Sequence, residues 1–157
     1  MQNEKGELEE ARESLRKSAE AYLSGFMLSG FGPSRRDYRF GLNAASMYYI
    51  LGGIIDPSLI DELLSQIEKS LNDLANGNKV WDLTSLLEVY FLKGDKDRAE
   101  YIVRKILDSN PDEVILETIV SQLKLLSEAS SQRHEQTDWM KEIIAELDTN
   151  LAQTTES

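Results

Sequence analysis

Cysteine is absent from the 157 residues, which removes disulfides, thiolate metal ligands and a cysteine nucleophile together. Only three prolines and nine glycines occur, so few positions force the chain out of a helix. The single histidine, His134, has no second histidine or cysteine at ligand spacing. Its polar surroundings place it at the surface, and no metal or other cofactor is expected. Basic residues are outnumbered, 17 against 28 acidic ones, for a formal net charge of −11. That balance repels phosphates and argues against nucleic-acid partners and anionic membranes. No apolar run approaches the ~20 residues that span a bilayer. The start, Met1-Gln2-Asn3-Glu4-Lys5, lacks the basic-then-apolar order of a signal peptide. The expectation is one soluble cytoplasmic domain, residues 1–157, whose acid surplus serves solvation.

Apolar residues recur at helical spacing almost everywhere, and strand-like alternation is scarce. Seven helices are expected, over more than about 65% of the chain. The first covers about residues 4–24 within an N-terminal region 1–29, with a buried stripe of Leu8, Ala11, Leu15, Ala19, Tyr22, Leu23 and Phe26. Gly30-Phe31-Gly32-Pro33-Ser34 reads as a loop. The second helix starts near Gly41 or Asn43 and stops at Gly52-Gly53, a glycine C-cap. Asp56-Pro57 opens the third, with Leu59, Ile60, Leu63, Leu64, Ile67, Leu71 and Leu74 on one face and Asn76-Gly77-Asn78 at its end. The fourth spans residues 80–93 and closes on Gly94. Asp95 or Asp97 caps the fifth, which buries Ala99, Ile102, Val103, Ile106 and Leu107. After Asn110-Pro111 comes a sixth with Val114, Ile115, Ile119, Leu123 and Leu126. The polar residues 127–136 read as a loop. A seventh helix carries Trp139, Met140, Ile143, Ile144 and Leu147, and the tail 152–157 reads as frayed.

Short loops between helices imply antiparallel neighbours, in a closed bundle or an open stack. A repeat signal favours the stack. Residues 80–113 fit the 34-residue tetratricopeptide pattern. Leu86 takes its early leucine position and Tyr90 fills the gap between hairpins. Gly94 permits the turn, Ala99 a close helix crossing, and Pro111 ends the unit. Leu83 and Leu87 stand where that pattern usually has tryptophan and glycine. A degenerate repeat spans residues 38–76, where Tyr48 and Gly52 keep the separation of Tyr90 and Gly94. Residues 114–151 keep helices without the signature, as a capping end of a stack does. The expected fold is all-α, antiparallel hairpins stacked as a short tetratricopeptide-like solenoid.

Two segments carry a narrower likeness. Tyr38-Arg39-Phe40-Gly41-Leu42-Asn43-Ala44-Ala45-Ser46-Met47 resembles the Pro-Gly-Ile-Asn-Ala-Ala-Thr-Leu stretch of the TRAFs-binding domain family, with Phe40 for proline and Ser46 for threonine. Trp81-Asp82-Leu83-Thr84-Ser85-Leu86-Leu87-Glu88, then Gly94-Asp95 and Ala99, is similar to that family's Trp-Asp-x-Ala-Thr-x-x-Glu, Gly-Asp and alanine. The family includes the central regulatory region of apoptosis signal-regulating kinases and many bacterial proteins. The likeness covers roughly residues 36–126 and implies a helical-repeat regulatory module that binds proteins.

Candidate contact residues follow. Arg35, Arg36 and Arg39, with Tyr38, form a basic cluster in an acidic chain. They suit an acidic peptide or a phosphate, or else they neutralise carboxylates of the chain itself. Asn43 reads either as a helix N-cap or as a ligand contact. Asp82 suits a helix start and Trp81 reads as packed. Glu88 has Phe91 and Leu92 one turn on, so it faces a groove, bonds a neighbouring helix or is simply solvated. No phosphate loop is present, Gly30-Phe31-Gly32 lacks a preceding strand, and no motif supports Ser-His-Asp catalysis. The reading is a non-catalytic protein-interaction or regulatory scaffold module. The alternative is a small helical ligand- or anion-binding protein using the 35–39 segment.

Overall fold

The computed structural model describes residues 2–28, 35–52, 57–74, 79–132 and 137–156. Among them are seven α-helices and no strand. They are α1 Gln2–Leu28, α2 Arg35–Leu51, α3 Pro57–Leu74, α4 Val80–Lys93, α5 Lys96–Asp108, α6 Glu113–Gln132 and α7 Asp138–Glu156. None is long and apolar enough to cross a membrane. The contacts divide the chain into two compact units, Met1–Ser70 and Leu71–Ser157, with the boundary inside α3.

In the first unit α1 packs along α2. Ala19 and Ala44 are wholly buried, and with Tyr48 and Leu51 they form the core, flanked by Leu15, Tyr22, Leu23, Met47 and Ile60. Small alanines let two backbones approach, and the larger side chains fill the space beside them. Arg12 Nη2 donates to the Leu51 carbonyl at 2.8 Å, placing a cation on an open carbonyl at the end of α2. Gly52 adopts φ 65° and donates to Tyr48 O, so the glycine stop of α2 holds. Gly53 lies outside the described residues.

Three expectations for this unit are corrected. The stripe of α1 is covered only from Leu15 onward, with Ala19 buried and Leu15, Tyr22 and Leu23 half-buried; Leu8 is 63% exposed and Ala11 is exposed. The antiparallel partner explains this, because α2 ends beside Arg12. Next, α2 begins at Arg35, not near Gly41 or Asn43. Gly41 is buried inside the helix. Nothing between residues 35 and 40 breaks a helix, and one glycine costs only about 1 kcal/mol there. Asn43 is therefore an exposed residue of the helix interior, not a cap. Phe26, the Gly30–Ser34 segment, Asp56 and Asn76 to Asn78 lie outside the described side chains or residues. Along α3, Leu64, Ile67 and Leu71 are buried and Ile60 and Leu63 half-buried.

Tyr48 gives this unit an alkaline limit. Burial pushes its phenol above the usual tyrosine range, the Glu20 charge adds to this, and Arg16 opposes it. The unfolded chain then loses the proton first. Stability from this group is complete below the unfolded value of about 10 and is lost as pH rises through the higher folded value. Tyr48→Phe lacks that loss. Thermal melts taken from about pH 8 to about pH 11 should show the wild type falling faster than the variant. Parallel decline of the two would refute the assignment.

The second unit holds α4 to α7. Its first helix has the expected bounds, 80–93, and is buried over most of its circumference. Gly94 closes it at φ 71°, donating to Phe91 O, while Asp95 N donates to Tyr90 O. A Cβ at Gly94 would meet nothing within 4 Å. The glycine is thus required by backbone conformation alone, worth about 1–2 kcal/mol. Asp95, not Asp97, caps α5, accepting from Arg98 N at 3.2 Å. Ala99, Ile102, Val103 and Ile106 are buried, and Leu107 is half-buried. Asn110 takes φ 55° before the half-buried Pro111, and Asp112 accepts from Ile115 N at 3.0 Å to start α6.

The C-terminal half departs from expectation. Residues 127–132 continue α6 instead of forming a loop, with Ser127, Ala129 and Ser130 buried. Their polarity misleads because these are small side chains, which suit a close helix–helix contact. The hydroxyls of Ser131 and Thr137 meet at 3.1 Å. Residues 133–136, His134 included, lie outside the described residues. Val114 is 67% exposed, and Leu116 is buried at 1%. The helix α7 runs on to Glu156, so the tail after Leu151 is helical. Its Met140, Ile143, Ile144 and Leu147 are buried as expected, with Trp139 half-buried.

Packing in this unit is between neighbours and next neighbours. The pairs α4–α5 and α6–α7 are antiparallel hairpins, α4 lies beside α6, and α5 beside α7. Phe91 of α4 meets Trp139 of α7 edge-on, with ring centres 5.2 Å apart at 69°.

Candidate functional site

Because α4 is surrounded by α5 and α6, it presents only a narrow strip to solvent. That strip holds Trp81, Thr84, Ser85 and Glu88. Residues 81 and 88 are seven apart, almost two turns, so they fall on one side of the helix. Trp81 is 47% exposed, against the expectation that it packs, and its neighbour Asp82 is buried at 1%. Asp82 stands in the first turn of α4, as its suitability for a helix start implies, and it is buried there.

Glu88 is fixed across to the neighbouring helix. Gln122 Nε2 of α6 donates to Glu88 Oε1 at 2.9 Å. Of the readings open for Glu88, a bond to a neighbouring helix is the one observed. The two residues are 34 positions apart, the period of a tetratricopeptide repeat. On α6 the side facing solvent carries Val114, Thr118, Ser121 and Leu125, with Leu125 52% exposed. Val114 lies at the level of Trp81, since both stand about two turns before the Gln122–Glu88 bond. The strip thus sets three exposed apolar side chains, Trp81, Val114 and Leu125, around one polar link. Thr84 and Thr118 hydroxyls are turned back on their own helices, donating to Val80 O and Val114 O at 2.8 Å. What these side chains leave outward is apolar area at Trp81, Val114 and Leu125, with a carboxylate and an amide between the two helices and Glu117 and Lys124 exposed on α6, chemistry suited to contact with another chain.

The remaining singled-out residues divide by role. Leu86, Tyr90 and Ala99 are buried in the second unit, and Tyr48 in the first. Gly52 and Gly94 are helix stops with positive φ. Arg35, Arg36, Tyr38 and Arg39 occupy the first turns of α2, in the Met1–Ser70 unit, whereas Glu88 belongs to Leu71–Ser157. The backbone places Arg35, Arg39 and Asn43 at successive turns of one helical side. The side chains of residues 35–40 lie outside the described set. Sequence reasoning missed Gln122 and Leu125. The signal for Gln122 is its 34-residue offset from Glu88. No family model, curated protein or solved structure matches the chain.

Proposed function

We propose that the chain is a non-catalytic protein–protein interaction module of tetratricopeptide type, with the α4–α6 strip as its contact surface for a peptide or protein segment. The observation that carries this reading is the exposure of Trp81, Val114 and Leu125 on adjacent helices around the Glu88–Gln122 bond. Exposed tryptophan is the residue type most enriched among dominant binding contacts. The side-by-side hairpins and the 34-residue offset of Glu88 and Gln122 support the repeat reading. The likeness to the TRAFs-binding domain family agrees with a regulatory role in the cytoplasm. Arg35, Arg36, Tyr38, Arg39 and Asn43 are a second, separate proposed contact, for acidic groups of a protein partner, favoured by the shared helical side of Arg35, Arg39 and Asn43.

The test is capture of partners from source cells with wild type and with Trp81→Ser/Leu125→Ser, quantified side by side. Both positions are exposed, so the melting temperature should barely move. Affinity for a captured partner should fall at least about tenfold, as loss of a buried anchor does. An unchanged partner set at unchanged affinity would remove the strip from consideration. Arg35→Ala/Arg36→Ala/Arg39→Ala in the same assay tests the α2 contact separately.

A further inference from the structure

On the side of α4 turned away from Glu88, a recess of 240 Å³ opens between α4 and α5, with Asn72 of α3 at its edge. Residues 98, 101, 102 and 105 of α5 share one side of that helix and reach it together. Two are cations, in a chain of net charge −11, and among the described residues no carboxylate lines the recess. Each cation lies over a tyrosine ring: Arg98 5.9 Å from the centre of Tyr90, and Lys105 4.9 Å from that of Tyr101. Arg98 also stands 3.6 Å from Asp95 Oδ2, so part of its charge is already balanced. No ion pair engages Lys105 among the described residues. Its ammonium lies over the Tyr101 ring.

We propose that this recess binds a small organic carboxylate with an apolar body. The chemistry divides between the two parts of such a ligand. Lys105 supplies the positive charge and Asn72 an amide for the carboxylate. The exposed Tyr101 ring supplies the main apolar contact for the body, above a floor closed by the buried Leu86, Tyr90 and Ile102. With Arg98 shared with Asp95, Lys105, which has no ion pair among the described residues, is the charge that matches one carboxylate. A doubly charged phosphate would leave one charge over, in a protein whose field already repels anions. The site is distinct from the α4–α6 strip, and neither depends on the other.

The experiment is a titration of the full-length protein followed by amide NMR. The probe is 4-phenylbutyrate, compared with its neutral amide, with acetate and with inorganic phosphate. Saturable shifts are expected at residues 98–105 and 83–90, with a dissociation constant on the order of 1 mM, in keeping with so few ligand atoms. The amide, acetate and phosphate should each bind about tenfold more weakly, since each lacks the charge, the apolar body or the right valence. Lys105→Gln should weaken 4-phenylbutyrate about tenfold, and Lys105→Arg should restore it, both at unchanged melting temperature. Equal binding of acid and amide, full affinity in Lys105→Gln, or no saturation by about 10 mM would overturn the proposal.

Discussion

Phe91→Ala is expected to destabilise the Leu71–Ser157 unit by about 3–5 kcal/mol, the usual cost of emptying a core phenylalanine site. Phe91 is among the largest fully buried side chains, at 1% exposure. It also joins two hairpins, since its ring meets Trp139 of α7 edge-on. Truncation therefore removes transfer free energy, leaves a cavity and deletes an aromatic pair worth about 0.5–1.5 kcal/mol of its own. Chemical denaturation followed by tryptophan fluorescence reads both effects, because Trp139 loses its neighbour. Phe91→Leu should recover most of the loss. A decrease under about 1 kcal/mol would show that this part of the core collapses around the gap.

Ala99→Leu is expected to cost about 1–3 kcal/mol by overpacking. Ala99 has no exposed surface and lies on α5 within the α4–α5 hairpin. Its N–H donates to Asp95 O at 3.0 Å in the first turn of the helix, so the backbone there is tied to the cap and has little freedom to shift. Helix propensity adds little, leucine being nearly as good a helix former as alanine. A lowered melting temperature would therefore report packing and not propensity. An unchanged melt would mean that α4 and α5 have room at this crossing.

The boundaries of α4 and α5 were legible from sequence because their signals are local. Gly94 can take positive φ where other residues are strained, and Asp95 has an acceptor for the free amides three residues on. The 3.6-residue recurrence from Leu83 to Leu92 and from Ala99 to Ile106 marks buried sides without reference to any partner. The start of α2 was misread for a related reason. Gly41 looks like punctuation, but a glycine inside a helix costs little when burial of its surroundings compensates, and here it is buried.

The all-helical class, the stops at Gly52 and Gly94 and the cap at Asp95 were determined by the chain itself, because they depend on φ, ψ and hydrogen bonds within a few residues. Other features depended on which helices meet. Leu8 carries the same periodicity as Leu15, yet it is exposed because α2 ends beside Arg12. Ser127 and Ser130 read as loop residues, yet they are buried in α6 within its hairpin with α7. Trp81 reads as core, yet it stands in solvent, on the one side of α4 that its neighbours leave uncovered. The Glu88–Gln122 bond and the gathering of Lys105, Tyr101 and Asn72 at one recess join groups from separate turns or helices. Periodicity gives each helix a buried side, but the length and angle of its partner decide how much of that side is covered, and only through-space packing sets those.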